Sequence, residues 1–233
     1  MGRVFAVSDL HGMYDLYEQI NNFIEPGDRI YCLGDCGDRG PGGWKTIKAV
    51  LSNPQWFYLK GNHEAMLVES WDELIENQGY HGFFTQRLFD NGGESTYEKA
   101  MEEENPGIWM ERLRLLPTCD SYVSAQGTIF LSHSGYIPRS EWDFQMEEIQ
   151  HRLIWDRNHI KRNTFNNDNY DIVIHGHTPI QYITNNYQPG AFWYCGDRKC
   201  CIDNASFHTG ITCLLDLNTF DEHIFQSSKK ISI

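Results

Sequence analysis

Ile30-Tyr31-Cys32-Leu33-Gly34-Asp35-Cys36-Gly37-Asp38-Arg39-Gly40 joins a four-residue apolar run to a glycine-bounded turn of the form G-D-x-x-D-R-G. A short run of this kind, closed by Gly and Asp, predicts a buried strand that delivers Asp35 at its end. The same junction recurs on both sides. Val4-Phe5-Ala6-Val7 leads into Ser8-Asp9-Leu10-His11, and Trp56-Phe57-Tyr58-Leu59 leads into Gly61-Asn62-His63. Ile129-Phe130-Leu131 leads into Ser132-His133, and Ile172-Val173-Ile174 into His175-Gly176-His177. Between the first three runs, Leu16, Tyr17, Ile20, Phe23 and Ile24 fall at helical spacing, as do Trp44, Ile47, Val50 and Leu51. Strand–helix–strand–helix–strand with polar groups at the carboxyl ends predicts an α/β fold whose ligands sit beyond those ends. Asp9, His11, Asp35, Asn62, His133 and His177 would then meet. Two carboxylates, an amide and three imidazoles have little reason to gather except around metal, and such donors suit hard divalent ions such as Mn²⁺.

The chain of 233 residues carries 19 Lys and Arg against 32 Asp and Glu, a formal charge of −13, with 40% hydrophobic side chains. This predicts a packed core and one domain over 1–233. The acidic balance argues against a nucleic-acid partner, which would need a basic footprint. No apolar run approaches the ~18 residues of a membrane span, and the first residues lack a secretory leader's apolar stretch, so no membrane partner and a cytoplasmic location are expected. The seven cysteines, an odd number, then read as reduced thiols, and Cys195-x₄-Cys200-Cys201 lacks the paired spacing of a structural zinc site. Residues 64–117 differ from the rest: helical spacing dominates, and from Glu64 to Glu111 twelve acids face only Arg87 and Lys99. A helical lid inserted into the domain is expected there, its acids mostly a solvated face. Tyr122-Val123-Ser124 and Thr128-Ile129-Phe130-Leu131 read as a hairpin around Gly127, and residues 201–203, 211–217 and 223–225 as further antiparallel strands.

Around the central motif, Asp9-Leu10-His11-Gly12, Gly61-Asn62-His63-Glu64, His133-Ser134-Gly135, Leu153-Ile154-Trp155-Asp156-Arg157, Gly176-His177-Thr178-Pro179 and Ile202-Asp203 stand in order. In this set the chain resembles the calcineurin-like metallophosphoesterase superfamily, and within it the phosphoprotein phosphatase family in its compact bacterial and phage form. The resemblance implies two mixed β-sheets packed as a sandwich and flanked by helices. It also implies two divalent ions, Mn²⁺ foremost, with Fe, Zn, Ni or Mg as alternatives. Asp9, His11 and Asp35 would hold one ion; Asp35, Asn62, His133 and His177 would hold the other, with Asp35 bridging. Arg39 and Arg157, with Asn62, would bind the phosphate, where a planar guanidinium matches its oxygens. His63, oriented by Asp38, would protonate the leaving oxygen, and a metal-bound hydroxide would attack, so no Ser or Cys nucleophile is required.

The implied activity is hydrolysis of phosphate monoesters, on a phosphorylated protein (serine or threonine, and also tyrosine) or on a small phosphate ester. The alternative is a symmetrical diadenosine tetraphosphate hydrolase, a relative that usually has Asp where this chain has Glu64 after G-N-H. Oligomeric state is left open. Arg157 sits in a shorter motif than Arg39 and could equally be a surface arginine. His175 reads as structural, as do His81, His151, His159, His208 and His223, and Asn91-Gly92-Gly93 as either a plain turn or the lid side of the pocket.

Overall fold

The computed structural model describes residues 2–138, 145–162 and 169–228. The first half alternates β1 (Val4–Val7), α1 (Tyr14–Phe23), β2 (Arg29–Cys32), α2 (Gly43–Ser52) and β3 (Trp56–Tyr58). The expected insertion follows as α3 (Asn62–Glu76), α4 (Phe83–Asp90), α5 (Glu94–Met101) and α6 (Pro106–Arg114). The hairpin is β4 (Cys119–Ser124) and β5 (Gly127–Ser132), with Ser124 opposite Gly127. Beyond it come α7 (Met146–Trp155), α8 (Asn158–Lys161), β6 (Ile172–His175), α9 (Ile180–Ile183), β7 (Phe192–Tyr194), β8 (Lys199–Cys201), α10 (Ser206–Thr209), β9 (Ile211–Asp216) and β10 (Glu222–Gln226).

The strands form two mixed five-stranded sheets, in the orders β10-β9-β1-β2-β3 and β4-β5-β6-β8-β7. β1, β2 and β3 run parallel, as do β5, β6 and β8; the flanking strands are antiparallel. The pleat explains why the parallel strands are apolar at nearly every position, since both of their faces are covered. Ala6 on β1 faces inward with Ile129 and Leu131 of β5, Ile172 and Ile174 of β6 and Leu215 of β9, which fill the space between the sheets. Their neighbours Phe5 and Val7 face outward into a second cluster with Leu16 and Ile20 of α1 and Ile47 and Val50 of α2. Phe130 and Val173 likewise face outward, onto Ile149 and Leu153 of α7. The apolar sides of α3–α6 (Met66, Leu67, Leu88, Tyr97, Met110, Leu113) join the cluster beneath α1 and α2. No helix among the described residues is long and apolar enough to cross a membrane.

Two expectations are corrected. Residues 201–203 were expected to form an antiparallel strand; β8 begins at Lys199, ends at Cys201 and pairs parallel with β6, while β7 supplies its antiparallel neighbour. Apolar patterning reports burial and not strand direction, and a three-residue strand such as β7 shows no period. The lid's acids are also not simply solvated. Glu69 pairs with Arg87, Asp72 with Arg114 at 2.6 Å and Glu103 with Lys48 at 2.6 Å. Glu73 accepts hydrogen bonds from the backbone N–H groups of Gly82, Phe84 and Thr85 and from the Thr85 hydroxyl, capping α4.

None of the seven cysteines, all among the described residues, forms a disulfide; Cys200 and Cys201 are buried and Cys195 is half-buried.

Candidate metal centre

Every parallel strand of both sheets contributes at its carboxyl end. β1 is followed by Asp9 and His11, β2 by Asp35, Asp38 and Arg39, and β3 by Asn62 and His63 at the start of α3. β5 is followed by His133, β6 by His177 and β8 by Asp203. The turns that aim these side chains inward are strained. Asp9, His11, Asp35, Asp38, Arg39 and His177 all have left-handed backbone, φ between +41° and +67°, and none is glycine. Each such residue costs about 1–3 kcal/mol, and their concentration in one place marks the loops as built around a site. Two glycines allow the loops to touch. A Cβ on Gly61 would lie 2.2 Å from Asp35 Oδ1, and one on Gly176 would lie 2.1 Å from Asp9 Oδ2.

Asp35 Oδ2 lies at the middle of the cluster, 3.3 Å from His133 Nε2, 3.7 Å from His11 Nε2 and 3.8 Å from His63 Nε2. Two groups of converging donor atoms share it: Asp35 with His133 and His177, and Asp35 with His11 and His63. Asp9 Oδ1 stands 3.9 Å from His11 Nε2, while its Oδ2 is held by the Ser8 hydroxyl and the His177 N–H. The donor chemistry fits divalent ions. His133 Nδ1 lies 2.8 Å from the Leu33 carbonyl, so that nitrogen carries the proton and Nε2 presents a lone pair. Around Nε2 stand Asn62 Oδ1 at 2.9 Å and His177 Nδ1 at 3.1 Å, and the buried His177 Nε2 has no partner among the described residues. Such a gathering of lone pairs repels itself unless positive charge lies among them. Without a metal only protons can supply that charge. Burial opposes protonation of His133, but Asp35 and Asp9 outweigh it and lift its pKa to about 10.

His11 Nδ1 is likewise 3.0 Å from the Gly37 carbonyl, which turns its Nε2 toward the cluster. His63 Nδ1 donates to Asp38 Oδ2 at 2.6 Å. Burial disfavours the charged His63 ring, yet Asp35 and Asp38 together raise its pKa. Arg39 spans the two imidazoles, donating to His11 Nε2 at 2.8 Å and to His63 Nε2 at 3.0 Å. The lid fixes this arginine from behind: its backbone N–H donates to Gly92 O at 2.8 Å, and the Asp38 N–H donates to Thr96 Oγ1 at 3.0 Å. The turn Asn91-Gly92-Gly93 therefore does shape the lid side of the pocket. The cluster opens into a pocket of about 650 Å³ whose wall includes Arg39, Arg157, His177, Asp90 and Asp203. All the residues singled out in the sequence for this site are thus brought together, Arg157 included.

Three features were missed. Asp203 is buried, lines the pocket, and is pushed well above the usual carboxylate range by burial and by Asp9; its position after β8 was the available signal. His208, read as structural, also lines the pocket, on an α10 too short to show periodicity. Glu64, used above as a marker of substrate class, is wholly buried beneath the site. It accepts the N–H groups of Asp35, Cys36 and Gly61 and the Tyr58 hydroxyl, at 2.6–3.0 Å, and so fastens the Asp35 turn to α3. His175 has the structural place expected, against the Gly176 carbonyl and the Tyr194 hydroxyl, and burial lowers its pKa to about 4.

Comparison with known proteins agrees with this arrangement. The chain is similar to serine/threonine-protein phosphatase 2 of Escherichia coli (strain K12), 26% identical over 164 residues that span 68% of this chain and 70% of that one. It is also similar to a symmetrical bis(5'-nucleosyl)-tetraphosphatase of Dechloromonas aromatica (strain RCB), 24% identical over 58% of this chain and 44% of that one. Among solved structures, one provisionally assigned as a diadenosine tetraphosphatase superposes with a TM-score of 0.66 over 98% of this chain and 95% of that one; at 16% identity this speaks to the fold alone. The family model for calcineurin-like phosphoesterases matches residues 2–201, which takes in the strand-end residues of the site from Asp9 to His177, and the chain belongs to that family.

Proposed function

We propose that the protein hydrolyses phosphate monoesters and is a protein phosphatase acting on phosphoserine, phosphothreonine or phosphotyrosine. Calcineurin-like phosphoesterases use a dinuclear divalent metal centre, and the donor set fits one. Asp9, His11 and Asp35 would hold one ion and Asp35, Asn62, His133 and His177 the other, with Mn²⁺ favoured by the mixture of oxygen and imidazole donors. Two such ions supply Lewis acidity toward phosphoryl oxygens and lower the pKa of water. Arg39 and Arg157 bind the non-bridging oxygens of the substrate, the planar fork matching two of them at once. His63 Nε2, which accepts from Arg39 here, would carry the proton for the leaving oxygen once Arg39 turns to the phosphate, and the 2.6 Å contact with Asp38 keeps its ring in the orientation that presents it.

The observation that carries the monoester reading is the charge of the pocket. Its wall among the described residues has two guanidiniums, Arg39 and Arg157, opposed by the exposed Asp90, with the buried Asp203 favoured as the neutral acid. That balance suits one dianionic phosphate at the metals and offers little to a long polyphosphate. The similarity to tetraphosphatases favours a second reading, cleavage of a dinucleoside polyphosphate. The test is a comparison of kcat/KM, in Mn²⁺, on phosphoserine and phosphotyrosine peptides and on diadenosine tetraphosphate. A large preference for the peptides is expected; a large preference for the dinucleotide would replace the proposed substrate and keep the metal ligands.

A further inference from the structure

The pocket does not end at the metal ligands. It extends to α9 and α10, where Tyr182, Phe207 and His208 line it. Tyr182 is 81% exposed, the most exposed large side chain of its kind among the described residues, and it stands at the mouth of the functional cavity. Both walls are rigidly held. The Tyr182 N–H donates to the Pro179 carbonyl, and the Gln181 side chain reaches across to the Asn204 carbonyl. Asn204 is itself locked to the Gly190 N–H and carbonyl, and the Ala205 N–H donates to Asp203 Oδ1. Ala205 adopts left-handed backbone, φ +53°, a strained conformation for a residue with a Cβ, and this turn directs α10 along the pocket wall.

Aromatic side chains carried on a fixed backbone beside a phosphate site are suited to a flat ring on the leaving side of the substrate. We propose that Tyr182 and Phe207 form a subsite that selects substrates carrying a planar aromatic group close to the scissile phosphate, whether a tyrosyl ring or a nucleobase. This rests on the monoester reading above and deepens it: a phosphoserine methylene leaves the aromatic wall bare, whereas an aryl or nucleoside group covers it. The pocket wall offers no Lys or Arg beyond Arg39 and Arg157 among the described residues, so the gain comes from stacking and not from added charge.

The test uses the Mn²⁺-loaded protein and the variants Tyr182→Ala and Phe207→Ala. Their kcat/KM is measured on a phosphotyrosine peptide, the same peptide with phosphoserine, and a 5'-mononucleotide. In each variant the ratio of aromatic to serine substrate is expected to fall about five- to tenfold, the size of one stacking contact. A larger fall for the phosphotyrosine peptide assigns the ring to protein, and a larger fall for the nucleotide assigns it to a nucleoside; an unchanged ratio for both overturns the subsite. Binding separates this outcome from failure of the monoester reading. By calorimetry, phenylphosphonate should bind the wild type about tenfold more tightly than methylphosphonate, and the preference should disappear in the Tyr182→Ala, Phe207→Ala double variant. Equal affinities in the wild type would overturn the subsite whatever is hydrolysed; a retained preference with no monoester turnover would overturn only the proposed reaction.

Discussion

His63 Nδ1 and Asp38 Oδ2 lie 2.6 Å apart, both buried, at the ends of two different strand–helix connections. This contact holds the imidazole with Nε2 toward Asp35 and Arg39.

This pair predicts a non-additive result. His63→Asn should lower kcat about 10²–10⁴-fold, the usual worth of a positioned acid, most for leaving groups of high pKa. Asp38→Ala should cost about tenfold or more by freeing the ring, and the double variant should be no slower than His63→Asn alone. Additive losses in steady-state kinetics would mean that Asp38 acts independently of His63.

Asp35 Oδ2 stands 3.3–3.8 Å from the imidazoles of His133, His11 and His63, so Asp35→Asn should reduce bound metal below two ions per chain. Elemental analysis after dialysis in Mn²⁺ measures this directly. Two ions held at wild-type affinity would remove Asp35 from the bridging position. Chelation of the wild type should abolish turnover, and Mn²⁺ should restore it.

Glu64 takes four hydrogen bonds without touching the pocket, which predicts a structural role. Glu64→Gln should destabilise the fold by about 2–4 kcal/mol, as expected when a buried charged acceptor is replaced. Glu64→Asp, a shorter acid at the position read as a substrate marker, should lower Tm without converting a monoesterase into a dinucleotide hydrolase. A reversal of the peptide-to-dinucleotide ratio in Glu64→Asp would give the marker a direct role.

The lid carries its own pH dependence. Burial works against the Glu73 carboxylate, but the Thr85, Phe84 and Gly82 donors prevail and hold its pKa down from 4.5 to about 2. A depressed carboxylate stabilises the fold fully above its unfolded pKa and loses that contribution as pH falls through the folded value. Discounted for solvent screening, the difference contributes about 1–2 kcal/mol, present at pH 6 and lost progressively between about pH 5 and pH 2. Urea unfolding at pH 6 and pH 3 should show this loss in the wild type and a flatter profile in Glu73→Gln; parallel profiles would exclude Glu73 as its source.

The regular part of the fold was legible because periodicity reports burial over several residues. Phe5 and Val7 against Ala6 show how a strand covered on both faces becomes continuously apolar. β7, α9 and α10, of three or four residues each, are too short for any period, and they form much of the wall beyond the metal ligands. The direction of β8 was misread for a related reason, since hydrophobic pattern is blind to chain polarity.

By itself the sequence determined which residues could bear the chemistry: Asp9, His11, Asp35, Asn62, His133 and His177 each follow an apolar run, and the physics of buried strands places them at an end. Only the tertiary structure decided how they meet. Arg39 joining His11 to His63, Glu64 lying beneath the turn it was thought to label, and Tyr182 and Phe207 lining one pocket with Arg39 all depend on loops from two sheets closing on one another. Those distances are set by strained turns and by glycines without a Cβ between distant segments, and no local pattern in the chain encodes which of its loops will touch.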